Sequence, residues 1–250
     1  MRTATSADRD LPALSGLLAA VVFIGGLPLT GMLATGEIPR PDAPTVETAR
    51  YFLANGDLAA LDALVHSTAA LLLVVFTGSL AALVRRVEPR PSGLAEVALG
   101  AGVLAAAFLT VSALLGGTLG AEQITGSPAT VGALRQLSFF LGGAGHTAFL
   151  GMLVGAASLA AARANALPRW LTTAGLVSAI ASILSLLSLV LAPTLLFIPV
   201  GRFSALLVIA AASVLLATGR TGQGRAAGTG ASVAGGLGVV VLAFAITVFI

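Results

Sequence analysis

Seven long apolar stretches constrain this sequence more than any other feature. They cover about residues 12–35, 58–84, 92–119, 132–162, 168–192, 200–218 and 231–250. A helix that crosses a bilayer needs about 20 apolar residues. Only 9% of the residues are charged, against about 25% in ordinary soluble domains, so an aqueous environment for this much apolar surface is excluded. The sequence predicts an all-α, polytopic membrane helix bundle with seven transmembrane helices in a single domain over residues 1–250.

The arginines predict the orientation of this bundle. Nine fall in connections on one side: Arg2, Arg9, Arg85, Arg86, Arg90, Arg163, Arg169, Arg220 and Arg225. Four fall on the other: Arg40, Arg50, Arg135 and Arg202. Because short cytoplasmic loops are enriched in basic residues, we expect a multi-pass protein of the cytoplasmic membrane with its N-terminus inside and its C-terminus outside. Topology accounts for the positive charge, so the expected partner is the lipid bilayer rather than nucleic acid.

The first apolar stretch raises the question of a signal peptide, because two arginines precede it. Its run exceeds the apolar core of a signal peptide, so we expect an uncleaved helix that bends near Pro28. The connection that follows, 36–57, contains three prolines and then a short helical pattern. We predict a helix from Thr45 to Ala54 that lies on the outer membrane surface, with Asn55-Gly56 as a left-handed stop signal.

Segments two and four share a pattern that indicates an internal repeat. His66 precedes Ser79-Leu80-Ala81-Ala82, and His146 precedes Ser158-Leu159-Ala160-Ala161. The offsets between the copies are nearly constant, and both segments run from outside to inside. We therefore predict two parallel helical hairpins, 58–118 and 132–192, that are related by an axis along the membrane normal.

The two histidines at equivalent positions raise the question of a cofactor. A b-type haem needs two axial histidines on facing helices, and the glycines next to His146 would leave room for a flat macrocycle. A packing interpretation stands beside this one, because Gly143, Thr147, Gly151 and Gly155 form a ridge of small residues typical of helix contacts. The primary expectation is that no cofactor is bound and that both histidines are structural, with haem b as the alternative.

A second group of residues predicts a polar site in the outer leaflet. Asp62 precedes His66 by four residues, so both share one helix face, where the carboxylate orients the imidazole and the pair can relay protons or bind a cation. The other residues expected near this side are Glu122, Arg135, Gln136 and Arg202. Two alternatives stay open, since these residues either rim a shallow pocket or contact water and lipid phosphates. Near the cytoplasmic side, Glu96 is expected to pair with a neighbouring arginine.

Several classes of chemistry are excluded by absent residues. The chain has no cysteine, which excludes disulfides, thiolate metal sites and iron–sulfur clusters. It also has no lysine, which excludes a retinal Schiff base. Gly100-x-Gly102-x-x-Ala105 matches a dinucleotide-binding fingerprint only nominally, because it lies inside an apolar helix with no preceding strand. We therefore expect no catalytic residues and no metal site.

Two stretches carry a family resemblance. They are Pro41-Asp42-Ala43-Pro44-Thr45, ahead of the short helix, and Ala166-Leu167-Pro168-Arg169-Trp170-Leu171, which opens the helix through Ala174-Gly175-Leu176. With them the chain resembles, over about residues 10–218, a group of actinobacterial multi-helix membrane proteins classed under a domain of unknown function. The resemblance implies an integral membrane bundle and supplies no catalytic residues.

Three hypotheses for the function follow. The first is a non-enzymatic membrane protein with a structural, interaction or accessory role, as a homo-oligomer or in a membrane complex. The second is a redox protein that binds haem b or a quinone. The third is a small transporter or proton-coupled carrier, for which a polar cavity at mid-membrane depth would be the discriminating feature.

Overall fold

The computed structural model describes residues 10–39, 43–88 and 92–219, and within them the chain is all-helical. The α-helices are α1 (Leu14–Leu33), α2 (Thr45–Ala54), α3 (Gly56–Val87), α4 (Leu94–Thr118), α5 (Glu122–Thr125), α6 (Pro128–Phe140), α7 (His146–Ala164), α8 (Arg169–Leu184) and α9 (Phe197–Ala217). A π-helical turn, Leu141–Gly145, joins α6 to α7. Short 3-10 turns cover Leu11–Ala13, Ser185–Leu189 and Ala192–Leu196.

Six helical stretches in this described part are long and apolar enough to cross a membrane. They are Leu11–Leu33, Gly56–Val87, Leu94–Thr118, Pro128–Ala164, Arg169–Leu189 and Ala192–Ala217. The predicted helical membrane bundle is thus confirmed, and six of the predicted segments correspond to these stretches. The seventh predicted segment, 231–250, lies outside the described residues, as do the arginines at positions 2, 9, 40, 90, 220 and 225.

A helix is present with the bounds expected from the sequence, Thr45–Ala54, and its location on the outer membrane surface stays a prediction. The stop signal after it was interpreted wrongly. Asn55 has φ −125°, which is outside the left-handed region, and α3 begins directly at Gly56. Asn55 ends α2 through its side chain instead, as described below. Pro28 lies inside α1, which runs from Leu14 to Leu33.

The fourth span differs from the simple helix expected there. Its 37 residues are interrupted by the π turn at Leu141–Gly145, where the helix accommodates one residue more per turn than an α-helix. Three of the five residues in this turn are glycines. A Cβ at Gly142 would lie 2.2 Å from the Ser112 hydroxyl oxygen, and one at Gly145 would lie 2.4 Å from the Phe108 ring. The glycines therefore allow the turn to press against α4.

Small residues bring the helices close together. A Cβ at Gly102 of α4 would lie 2.2 Å from the Thr77 side chain of α3, so this glycine serves packing. On α7, a Cβ at Gly151 would lie 2.4 Å from Cβ of Ser182, and one at Gly155 would lie 2.9 Å from Cβ of Ala179. Two members of the predicted ridge, Gly151 and Gly155, thus lie at an interface with α8, whereas a Cβ at Gly143 would lie 3.4 Å from Ile198 of α9. Close approach of this kind is how helices associate where no water drives them together.

The two ends of the bundle differ in character. The end that carries α2 and α5, here called the α2 end, has only a small apolar cluster of Ala49, Leu119 and Val131. The main core fills the remainder of the bundle and includes Phe23, Phe76 and Leu153. At the opposite end, Arg85 Nε lies 3.6 Å from Glu96 Oε1 between exposed side chains, which is the pairing expected for Glu96. The repeat of 58–118 and 132–192 stays a prediction; α3 is unbroken where the fourth span carries its π turn.

Candidate ligand-binding cleft

Two adjoining cavities open into the bundle near the α2 end. The mouth cavity has a volume of about 300 Å³ and the inner cavity about 210 Å³. Both are lined by Asp62, Gly116, Ser138 and Phe139. Because they share these walls, we treat the two cavities as one cleft.

Three helices each turn one face toward this cleft. From α3 and its first cap come Asn55, Leu58, Ala59, Asp62 and His66; from α4 come Leu109, Ser112, Ala113 and Gly116; from α6 and the π turn come Arg135, Ser138, Phe139 and Gly142. Within each set, single residues or adjacent pairs recur every three or four positions, which places them on one helix face. At 1.5 Å per residue, the lining on α3 extends over about 16 Å from Asn55 to His66. The cleft therefore reaches well into the bundle.

Asp62 and His66 form a pair in the middle of the cleft. Nδ1 of His66 lies 3.2 Å from Asp62 Oδ2 and 2.9 Å from the Asp62 carbonyl oxygen. Thr30 of α1 donates a hydrogen bond to Asp62 Oδ1 at 3.4 Å. Two acceptors facing Nδ1 favour the tautomer that carries its proton there. The predicted contact between these two residues is present, and both line the inner cavity.

Arg202 of α9 supplies a positive charge to the inner cavity. Its Nη2 donates hydrogen bonds to the carbonyl oxygens of Gly142 and Gly143, and its Nε donates to Thr147 Oγ1 at 3.3 Å. Its guanidinium carbon lies 5.4 Å from the ring centroid of Phe23. The two glycines have no side chains to cover their carbonyl groups, so the π turn can accept these bonds. Arg202 is thus held inside the bundle by neutral acceptors.

Arg135 of α6 occupies the mouth of the cleft. Its Nη2 donates to the Pro39 carbonyl oxygen, and its guanidinium carbon lies 5.6 Å from the Phe52 ring centroid. Tyr51 lines the same cavity, and burial raises the pKa of Tyr51 above its ordinary value, while the nearby Arg135 charge opposes that rise. Arg135 therefore ties the segment after α1 to α2 and α6.

Asn55 fixes the opposite wall of the mouth. Its Nδ2 donates to the carbonyl oxygens of Thr35 and Tyr51 at 3.1 and 2.9 Å, and its Oδ1 accepts from the Thr35 amide at 2.8 Å. The residue is only 4% exposed. One buried amide thus joins the end of α1 to the end of α2.

The two arginines of the cleft have no carboxylate partner within the described residues. Arg202, Asp62 and Arg135 line it in that order from the inner cavity to the mouth. Within the described residues, Asp62 pairs with His66, and neither arginine lies within ion-pair distance of a carboxylate. A partly enclosed charge without a counter-ion is costly. The cleft is therefore suited to a ligand that brings negative charge to Arg202.

The other predicted site residues lie elsewhere. Glu122 and Gln136 are exposed and line neither cavity. His146 is 0% exposed; its Nδ1 donates to the Ala105 carbonyl oxygen at 2.9 Å, and its Nε2 has no partner within the described residues. The expected set is thus divided, with Asp62, His66, Arg135 and Arg202 together in the cleft.

The surroundings of the two histidines do not fit a haem. Phe23 contacts both imidazoles, edge-on to His66 at 4.9 Å and stacked on His146 at 6.2 Å between ring centroids. A bis-histidine haem needs both rings to face a flat slot. His66 faces a cavity, whereas His146 is enclosed. We derive no chemistry through haem for this arrangement.

Sequence reasoning missed Tyr51, Asn55 and Ser138 as lining residues. Ser112 and Ser138 hydrogen-bond to each other across α4 and α6, with an Oγ–Oγ distance of 3.1 Å. A lone hydroxyl in an apolar helix carries little signal of which way it faces. The glycines at 142, 143 and 145 did mark a special backbone, although they were interpreted as room for haem or as packing.

Comparison of the chain with protein-family models, curated proteins and solved structures finds no match.

Proposed function

We propose that this protein is a non-enzymatic, multi-pass protein of the cytoplasmic membrane whose cleft binds a small amphiphilic anion. The ligand is a carboxylate, phosphate or sulfonate with an apolar body. Such binding serves a carrier or an accessory subunit equally well. Among the functions predicted from the sequence, the carrier required a polar cavity at mid-membrane depth, and the extension of the cleft over about 16 Å along α3 supports this hypothesis.

The observation that carries this proposal is the position of Arg202. Its contacts use Nε and Nη2, and Nη1 makes no hydrogen bond to the described residues. Because Arg202 also lines the inner cavity, donors remain for a ligand there. A guanidinium recognises carboxylate and phosphate groups through paired hydrogen bonds.

The walls of the mouth cavity support an apolar ligand body. Leu27, Ile38, Phe52, Leu119 and Phe139 line it beside the polar groups. Ligand sites combine apolar walls with a few polar groups in this way. When the anionic group of the ligand lies at Arg202 in the inner cavity, an apolar chain of several carbons extends past the shared lining residues into the mouth cavity.

We place the α2 end on the external side of the membrane. Nine arginines on the opposite side against four on this side favour that orientation. The ligand then enters from outside or from the outer leaflet.

The test measures binding of octanoate and octyl phosphate to the full-length protein in phosphatidylcholine nanodiscs by calorimetry. Octanol is the uncharged control probe. We expect both anions to bind and octanol to bind more weakly. Arg202→Gln should weaken anion binding by about tenfold or more, because it removes a charge-assisted hydrogen bond. Arg163→Gln makes the same change at an exposed position at the opposite end and should leave affinity unchanged.

Three other outcomes identify the ligand source or overturn the proposal. If a lipid headgroup occupies the site, octanoate affinity falls in phosphatidylglycerol nanodiscs, because the anionic lipid competes for Arg202. Equal binding by wild type and Arg202→Gln contradicts the anion site. Tight binding of a neutral quinone without octanoate binding would favour the quinone alternative instead.

A further inference from the structure

We propose that an anion bound at Arg202 enters the cleft together with a proton, which the Asp62–His66 pair takes up. This inference rests on the anion site proposed above. It assigns the pair a role in coupling rather than in direct ligation of the anion.

Arg202 and the Asp62–His66 pair share the inner cavity. Arg202, Asp62 and His66 line one inner cavity of about 210 Å³, which is the liquid volume of about seven water molecules. An anion that contacts Arg202 in so small a space lies close to the pair. Charges that are partly enclosed by protein interact more strongly than charges in bulk water.

The charge of the Asp62–His66 pair determines whether it repels the incoming anion. With neutral His66 and ionised Asp62, the pair carries one negative charge, which repels the incoming anion. One proton from solution makes His66 an imidazolium and brings the charge of the pair to zero. Since His66 Nδ1 already faces Asp62, the free Nε2 is the atom that receives this proton. No other bond forms or breaks.

Protonation of the pair and binding of the anion are thermodynamically linked. If protonation of the pair strengthens anion binding, then anion binding strengthens protonation by the same factor. The anion and the proton therefore occupy the cleft together. For a carrier, this gives a path by which a proton gradient acts on the ligand.

The other charged or titratable groups near the cleft are not suited to take up this proton. Arg202 and Arg135 stay protonated at physiological pH. Tyr51 at the mouth titrates above its ordinary range, because burial raises its pKa. His146 on α7 is fully enclosed and lines neither cavity, and Glu47 and Arg50 on α2 also line neither.

The test uses octanesulfonate, an anion that stays ionised over the working pH range, with the full-length protein in nanodiscs. Calorimetry in buffers of different ionisation enthalpy measures the protons taken up per anion. We expect uptake of up to one proton, and an affinity that rises as the pH falls, by up to about tenfold for each pH unit.

Two variants locate the proton. Asp62→Asn removes the negative charge, so we expect tighter binding at high pH and a weaker dependence of affinity on pH. His66→Gln removes the receiving nitrogen and should abolish proton uptake. Glu96→Gln, an exposed carboxylate at the opposite end, should change neither quantity.

The wild-type measurement decides the outcome even if a variant fails to fold. Anion binding with no proton uptake and no pH dependence overturns the coupling and leaves the anion site standing. Retention of full proton uptake in His66→Gln also overturns it. Absence of anion binding in the wild type refutes the proposed function itself.

Discussion

At the scale of single residues, the buried amide of Asn55 shows how one side chain holds the mouth of the cleft. It satisfies three backbone groups, two on Thr35 and one on Tyr51. Asn55→Ala would leave these buried groups without partners, so we expect a loss of about 1–3 kcal/mol in the free energy of unfolding. Thermal stability of the purified protein measures this loss. Gln136→Ala, which removes an exposed amide, should leave stability unchanged, and an equal loss in both variants would contradict this role of Asn55.

Tyr51 reports directly on the charges at the mouth. It is the only tyrosine in the chain, so ultraviolet titration of tyrosinate observes this residue alone. Burial raises its pKa, the Arg135 charge lowers it and the Asp62 charge raises it. We therefore expect tyrosinate to form above the ordinary pH of about 10. Arg135→Gln should shift this titration to still higher pH and Asp62→Asn to lower pH. Shifts in the reverse directions would contradict the described position of Tyr51.

At the scale of elements, Gly102 and Gly100 of α4 separate the effect of packing from the effect of helix propensity. Gly102 of α4 contacts Thr77, whereas a Cβ at Gly100 would meet no atom within 4 Å. We expect Gly102→Ala to destabilise the bundle by about 1–3 kcal/mol through overpacking. Gly100→Ala should be neutral or stabilising by up to about 1 kcal/mol. Thermal unfolding of both variants, made two residues apart in the same helix, checks the packing of α3 on α4.

The elements also show what the sequence can predict and what it cannot. The apolar stretches predict the six described spans, and the prolines and cap residues place α2 with its observed bounds. Hydropathy does not predict the π turn at Leu141–Gly145, because it measures apolar character and not backbone geometry. The three glycines in the turn indicate an unusual backbone but do not specify its conformation. The inward direction of Arg202 is likewise absent from the pattern, since it depends on which face of α9 meets α7. Asp62 and His66 were paired correctly because their spacing alone sets that contact.

At the scale of the whole molecule, the orientation in the membrane is testable because the chain has no cysteine of its own. We expect Glu37→Cys to react with an impermeant thiol reagent from outside the cell. Ser92→Cys and Ala164→Cys should react only when the cytoplasmic side is accessible. External labelling of both would overturn the proposed orientation.

The number of spans is a separate prediction. A reporter fused after Ile250 should report an external location if 231–250 crosses the membrane as the seventh span. A cytoplasmic signal from this fusion would leave six spans and would contradict the seven-helix prediction. The cysteine variants are the control, because they fix the orientation of the first five spans independently.

The π turn has a further consequence for changes in chain length. On the α6 side of it, one helix face lines the cleft; on the α7 side, Gly151 and Gly155 face α8. The turn sets the rotational phase between these two faces. Deletion of a single residue within Leu141–Gly145 would rotate one half against the other by about 100°, so the cleft and the α7–α8 interface could not both keep their present partners. Loops can change in length without such a rotation. At this point inside a membrane span, a change of even one residue disrupts one of the two interfaces.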